Sequence, residues 1–226
     1  ILESIEKEAP DVLALQELHH EQADVLRRRF AQRYPYFELD PELDGPGGIG
    51  IMSKLPLRDF EPFRLSNAGN FSQRATLEIG GRRVELYNIH LTAPRLRWRG
   101  GARLPLKFPT GYDDDARAVE VEALVRRLGA APRPLLVFGD FNAPDQSPMY
   151  LRLSERLVDS HRAVGWGFGN TFPTSMRLGA ADVPFPILRL DYVFHSSDIQ
   201  TAGVHLGAGA GSDHLSLIAD LALPRR

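Results

Sequence analysis

Cysteine is absent from the 226-residue chain, so neither a disulfide nor a thiolate metal site can form, and any metal must be held by His, Asp, Glu or Asn. Oxygen-rich donor sets of that kind favour hard cations. Long apolar runs are missing as well: none approaches the roughly 20 residues that cross a bilayer, and no signal-peptide pattern is visible. Neither sign of charge dominates. With 27 Lys and Arg against 29 Asp and Glu, the formal net charge is −2, so attraction to a polyanion has to come from a local patch. Internal repeats, linkers and low-complexity tracts are also absent. What is present is an ordinary globular composition, 43% hydrophobic and 25% charged, which argues against disorder and supplies a sizeable core. One domain over residues 1–226 is expected.

The chain starts at Ile1 without Met and already inside a helical pattern, with Leu2, Ile5 and Ala9 repeating until Pro10 stops it. "DVLALQE" then reads as a short buried strand that ends in Gln16 and Glu17. From His20, Ala23, Leu26 and Phe30 share a helix face. Glycine punctuation precedes a strand in "GPGGIGIMSKLPL", and "SQRATLEIG" and "RRVELYNIHL" flank the Gly80-Gly81 turn as an antiparallel hairpin. In the second of these, Val84 and Leu86 lie on one side and Tyr87, Ile89 and Leu91 on the other, so both faces are covered. Residues 91–112 read as a long irregular loop, of the kind usually functional or mobile. Asp113, Asp114 and Asp115 open a helix with Val121, Leu124, Val125 and Leu128 on its stripe and Gly129 after it. A strand before "GDFNAP", a short helix at 147–153, a Gly- and Pro-rich loop at 165–187 and three late strands complete the chain. Strand–helix alternation at both ends with hairpins between predicts two packed sheets with helices outside.

Polar groups recur at the ends of these apolar strands: Glu17, His90, Asp140 with Asn142, Asp191, and Asp213 with His214. Each has a bland reading on its own. Glu17 can cap the next helix, His90 can be a satisfied core histidine, "GDFN" can be a turn, and Asp213 can be a cap. The joint pattern carries more, because strand ends along one sheet edge are where open sheets build sites.

"DVLALQE", "YNIHLTAP", "GDFNAP", "LDYVF" and "GSDHLSL", in this order and spacing, resemble the signature segments of the endonuclease/exonuclease/phosphatase (DNase I-like) superfamily. The resemblance spans nearly the whole chain. It implies an α/β fold, a four-layer α/β/β/α sandwich, and hydrolysis of a phosphoester with Mg²⁺ or Mn²⁺. It further implies Glu17 as the main metal ligand with Asp213 assisting, and Asp140 orienting or deprotonating the attacking water. Asn142 would hold phosphate or water, His214 would donate to the phosphoryl oxygen with its ring fixed by Asp191, and His90 would stand beside the leaving group. Thr171 in "GNTFPT" would meet phosphate, with turn chemistry the alternative for that segment. A phosphodiester attacked by water needs this mixture of charge neutralisation, water activation and proton supply. Family members usually begin with a strand ending in an Asn, upstream of the helix before "LQE". The chain here starts at that helix, so it is expected to be N-terminally incomplete and to lack this first strand; Asn88 belongs to another strand and does not replace that Asn.

Between Leu91 and Thr110 lie Arg95, Arg97, Arg99, Arg103 and Lys107 with Trp98 and Phe108 and no acidic residue. Such a loop can track a phosphate backbone, stack a base or touch an anionic headgroup, or it can be a solvated loop paired with Asp113–Asp115. Arg95, Arg97 and Trp98 are the candidate substrate contacts. The expected activity is a phosphodiesterase or nuclease, with a phosphatase, a phospholipid-headgroup hydrolase and a silent phosphate-binding module as alternatives. The expected partner is a phosphoester substrate, nucleic acid among them, met by a monomer that is soluble as given. It would be either cytoplasmic or the soluble part of a protein anchored through a segment upstream of Ile1.

Overall fold

A computed structural model describes residues 1–99, 108–178 and 181–224; the side chains of 96–99, 108–113, 176–178 and 181–182 lie outside it. Helix α1 (Leu2–Glu8) leads into β1 (Val12–Gln16) and α2 (His20–Phe30). β2 (Tyr36–Asp40) and β3 (Ile49–Ser53) complete an antiparallel sheet in the order β1-β3-β2. β4 (Leu57–Arg64), β5 (Phe71–Ile79) and β6 (Arg82–His90) form a meander, and β7 (Arg95–Arg99) pairs with β8 (Phe108–Asp113). Helix α3 (Asp115–Ala130) returns the chain to β9 (Leu135–Asp140), parallel to β6. There follow α4 (Pro148–Ser154), β10 (Val158–Asp159), α5 (Ser160–Val164), the hairpin β11 (Ser175–Leu178) with β12 (Ala181–Pro184), and β13 (Asp191–His195). β14 (Gln200–Leu206) and β15 (Leu217–Ala222) form the last hairpin. The larger sheet has six strands in the order β10-β13-β9-β6-β5-β4.

Local sequence chemistry accounts for the helices that cover these sheets. α2 opens with a capping box in which the His19 N–H donates to Gln22 Oε1 at 3.0 Å, and α3 carries Asp115 in its first turn and Arg127 in its last. The apolar stripe Val121, Leu124, Val125 and Leu128 of α3 packs with α4 residues onto Tyr87, Ile89 and Val137 of the six-stranded sheet and onto Leu91 just past β6. On the opposite face, Leu86, Leu136 and Phe138 meet Ile51, Val12 and Ala14 of the three-stranded sheet. Outside that second sheet, Ile5, Ala23, Leu26 and Phe30 of α1 and α2 cover Leu13, Leu15, Leu39 and Met52. The result is helix, sheet, sheet, helix, the four-layer α/β/β/α sandwich expected from the signature segments.

Several details differ from the sequence reading. The region 91–112 is not wholly irregular, since it holds β7 and part of β8, and the Gly- and Pro-rich region 165–187 holds the β11–β12 hairpin. β4 went unread because Pro62 and a register shift between Arg58 and Glu61 break its pattern; both are tolerated because β4 is the edge of its sheet. β1 is half-buried at every position rather than buried, with β3 its one paired neighbour among the described residues.

Gly139 fixes how closely β9 approaches β6. Its φ is +137°, and a Cβ there would stand 1.9 Å from the Ile89 carbonyl oxygen. Both strain and collision follow from adding one methyl group. Gly139→Ala is therefore expected to destabilise the protein by about 3 kcal/mol or more, the upper end of the cost of backbone strain, measured by urea unfolding.

Candidate active site

Strand register builds the site. His90 is paired with Asp140 across β6 and β9, and Asp140 with Asp191 across β9 and β13, so three polar side chains stand side by side in one row. The residues two positions behind them, Asn88, Phe138 and Val193, face the other sheet, which places the row on the inter-sheet face at its end. Glu17, just past β1 on the facing sheet, adopts φ +54° and brings Oε1 to 3.9 Å from His90 Nε2. Asp140 Oδ2 lies at the same distance, 3.9 Å, from that nitrogen. His214, between β14 and β15, donates from Nδ1 to Asp191 Oδ2 at 2.8 Å, and the ring of Phe172 packs against it with centroids 4.9 Å apart. Ligand atoms of Asp140, Asp191 and His214 lie within 4.8 Å of one another. Residues from both ends of the chain thus converge, as the signature segments require.

Environment drives the two histidines in opposite directions. Burial lowers the pKa of His90 to about 4, reinforced by the charge of His214 and opposed by Asp191 and the Pro46 carbonyl, so it is neutral near pH 7. Burial also acts against a charged His214, yet the hydrogen bond and charge of Asp191, with help from Asp140 and Asp213, raise it to about 9. Burial and then the charge of Asp191 hold Asp140 well above the ordinary carboxylate range, against the pull of His214 and of the Asn142 N–H, which donates to Asp140 Oδ1 at 2.7 Å.

The donor chemistry fits a divalent cation. Glu17, Asp140 and Asp191 crowd negative charge that the His214 imidazolium offsets in part, and their hard oxygens suit Mg²⁺ or Mn²⁺. Because His214 Nδ1 is committed to Asp191, the carboxylates of Glu17, exposed, and of Asp140 are the oxygens open to such an ion.

The remaining candidates sort unevenly. Asp213 is exposed and contributes its carbonyl to the Thr174 N–H at 2.7 Å; its carboxylate lies outside the close cluster. Asn142 Nδ2 donates to the Leu91 carbonyl at 2.8 Å, so its amide is partly taken up in tying two loops together. Thr171 is fully buried, and its Oγ1 accepts the N–H groups of Leu190 and Asp191 at 3.2 and 3.4 Å, while its carbonyl accepts from Leu215 at 2.8 Å. That removes it from substrate contact: it braces the Asp191–His214 pair. Arg95 is exposed on β7. The side chains of Arg97 and Trp98 lie outside the described residues, as do Arg103 and Lys107 altogether.

The sequence reading missed buried supports whose signal is weak. Arg117, on α3, pairs with Asp114 and donates to the Asn142 carbonyl, holding that residue at φ +50°. Arg189 pairs with Asp159 at 2.7 Å and Asp145 at 3.3 Å beneath the "GDFNAP" loop. An arginine on an amphipathic helix looks solvent-facing until its acceptor is known.

Residues 1–214 match the model of the Endonuclease/Exonuclease/phosphatase family. The chain belongs to that family. Among curated proteins, a DNA-(apurinic or apyrimidinic site) endonuclease of Dictyostelium discoideum is 24% identical over 247 residues, covering 97% of this chain, which spans 65% of that relative's length. Among solved structures, D. rerio TDP2 complexed with a single-strand DNA product superposes with a TM-score of 0.71 at 16% identity, over 98% of this chain and 89% of that one. The human Nocturnin catalytic domain with a bound sulfate anion gives 0.71 at 22% identity, over 99% and 84%. A mannosyl-6-phosphatase of Bacteroides thetaiotaomicron gives 0.66 at 16%, over 97% and 88%. These likenesses establish the fold. No described helix is long and apolar enough to cross a membrane.

The folded state holds the His214 pKa above the ordinary histidine value of 6.5, so its charged form adds stability below that value and the contribution is lost as pH rises through about 9. NMR titration of the metal-free protein is expected to place the His214 midpoint near 9. In Asp191→Asn the midpoint should fall by at least about 1 unit, the low end of what a neighbouring opposite charge contributes. An unchanged midpoint would show that Asp191 does not hold the proton.

Proposed function

We propose that this protein is a divalent-metal-dependent phosphodiesterase that cleaves a P–O bond by attack of water, with nucleic acid as its leading substrate class. The observation that carries the reading is the convergence of Glu17, Asp140, Asp191, His90 and His214, with one histidine neutral and the other charged. The DNA named for the Dictyostelium relative and the fish structure supports the substrate class.

A cation held at this site would polarise a non-bridging oxygen of the phosphate and neutralise negative charge that grows on the phosphoryl oxygens. Glu17 would supply hard oxygen ligands to it at one side of the site. Asp140, made more basic by burial and by Asp191, receives the proton of the attacking water while the oxygen closes on phosphorus. His214, kept as an imidazolium by Asp191, hydrogen-bonds a phosphoryl oxygen and stabilises its charge as the geometry becomes trigonal bipyramidal. As the new P–O bond forms the old one breaks, and the departing oxygen, leaving on the Nε2 side of the neutral, buried His90, takes its proton from solvent water. Asn142 ties the loop that follows Asp140 to the Leu91 carbonyl.

Hydrolysis of bis-p-nitrophenyl phosphate and of plasmid DNA is expected with Mg²⁺ or Mn²⁺ and is expected to cease with EDTA. His214→Ala should lower kcat by about 10²–10³, equal to about 3–4 kcal/mol of transition-state stabilisation. Activity that survives EDTA would sink the metal mechanism. Turnover confined to p-nitrophenyl phosphate or to sphingomyelin would reassign the protein as a phosphatase or a headgroup hydrolase, and no turnover on any of the four would leave a phosphate-binding module.

A further inference from the structure

Asn88 is fully buried in the middle of β6, two residues before His90, in a layer otherwise filled by Leu86, Leu136 and Phe138. Its carboxamide leaves its own sheet. Oδ1 accepts from Gln16 Nε2 at 2.6 Å, and Nδ2 donates to the carbonyls of Gly50 at 3.0 Å and Leu15 at 3.3 Å, both on the facing sheet. Its cross-strand partner Gln73 makes a second crossing, donating to Asp40 Oδ2 at the end of β2, 2.9 Å away. Every one of these bonds joins the two sheets close to the site.

We infer that Asn88 and Gln16 are positioning residues that set the distance between the two halves of the catalytic centre, and above all the place of the Glu17 carboxylate. The site is divided between sheets: Asp140, Asp191 and His90 belong to the six-stranded one, whereas Glu17 hangs from the end of β1 on the other. Elsewhere the sheets touch through Val12, Ala14, Ile51, Leu136 and Phe138, and such apolar contacts have no preferred direction, so they tolerate a slide of a fraction of an ångström. Hydrogen bonds do not. Within its own sheet β1 pairs with β3, which sets its place in that sheet and not its place relative to the other. Gln16 is the last residue of β1 and the Asn88 bond holds it from across the interface; Glu17 comes next, in the left-handed region that a non-glycine residue seldom enters. A buried polar thread of this sort is costly as core and effective as a register device.

The inference rests on Glu17 as the metal ligand of the proposed phosphodiesterase, and the test separates the two. Affinity for Mn²⁺, read from the free-ion EPR signal, is compared among the wild type, Glu17→Gln, the paired exchange Gln16→Leu/Asn88→Leu, and the milder Gln16→Met, which keeps length and volume without the amide. The paired exchange and Gln16→Met should each bind Mn²⁺ about 10-fold more weakly, as outer supports of metal ligands do when removed. Their activity should then need correspondingly more metal, while the His214 NMR midpoint, set by Asp191 on the six-stranded sheet, stays at its wild-type value. Wild-type Mn²⁺ affinity in Gln16→Met, or a His214 midpoint that moves along with the affinity, would overturn the inference and leave the thread as a fold-wide brace. Glu17→Gln with undiminished Mn²⁺ binding would instead remove the ligand assignment beneath it. Should the paired exchange not fold, Gln16→Met alone decides.

Discussion

Lateral register between β6, β9 and β13 is the constraint on which the rest of the molecule depends. Because β9 runs parallel to β6 on one side and antiparallel to β13 on the other, a single alignment sets His90, Asp140 and Asp191 abreast. A slip of one residue on any of these strands would turn a polar side chain into the α3 face and an apolar one into the site. The register is fixed from both sides: by alternating apolar residues that fit two different cores, and by Gly139, whose missing side chain lets the two strands close on each other next to the row. Chemistry at the edge is thus a by-product of packing in the interior.

That row also explains the electrostatics. Two carboxylates on adjacent strands repel, and burial raises the cost of keeping both ionised. Asp191 is satisfied by His214, which takes up a proton that it holds to about pH 9; Asp140 is left as the more basic of the two acids, and His90, enclosed and without a hydrogen-bonded carboxylate, stays neutral. Titratable groups of one kind pushed apart by their surroundings mark acid and base roles in many enzymes. Here the separation follows from strand position and depth.

Legibility in the sequence followed the length over which each signal acts. Helices α1, α2 and α3 and the hairpin β5–β6 announce themselves through local periodicity and turn residues, and the four-layer architecture followed from their order together with the family resemblance. Glu17, His90, Asp140, Asp191 and His214 were visible as polar residues ending apolar runs. What the sequence concealed depends on partners far along the chain. Thr171 looked like a phosphate contact, but its hydroxyl is spent on backbone N–H groups 19 and 20 residues away. Arg117 and Arg189 drew no attention in the sequence and are buried ion pairs. Asn88 stood in plain view within "YNIHL" as an oddity in an apolar strand; the meaning of its amide required Gln16, 72 residues earlier, to be seen across the interface.

The segment around Thr171 touches both members of the Asp191–His214 pair. Its hydroxyl fixes the backbone of Asp191, its carbonyl receives the residue after His214, the Thr174 N–H is tied to Asp213, and the ring of Phe172 lies on the imidazole. The Asp191–His214 bond that raises the His214 pKa is therefore held in place by backbone contacts from a neighbouring stretch of chain. A change in that stretch would shift the Asp191–His214 geometry without altering either side chain, so the charge on the imidazole is open to adjustment from outside the row of polar groups.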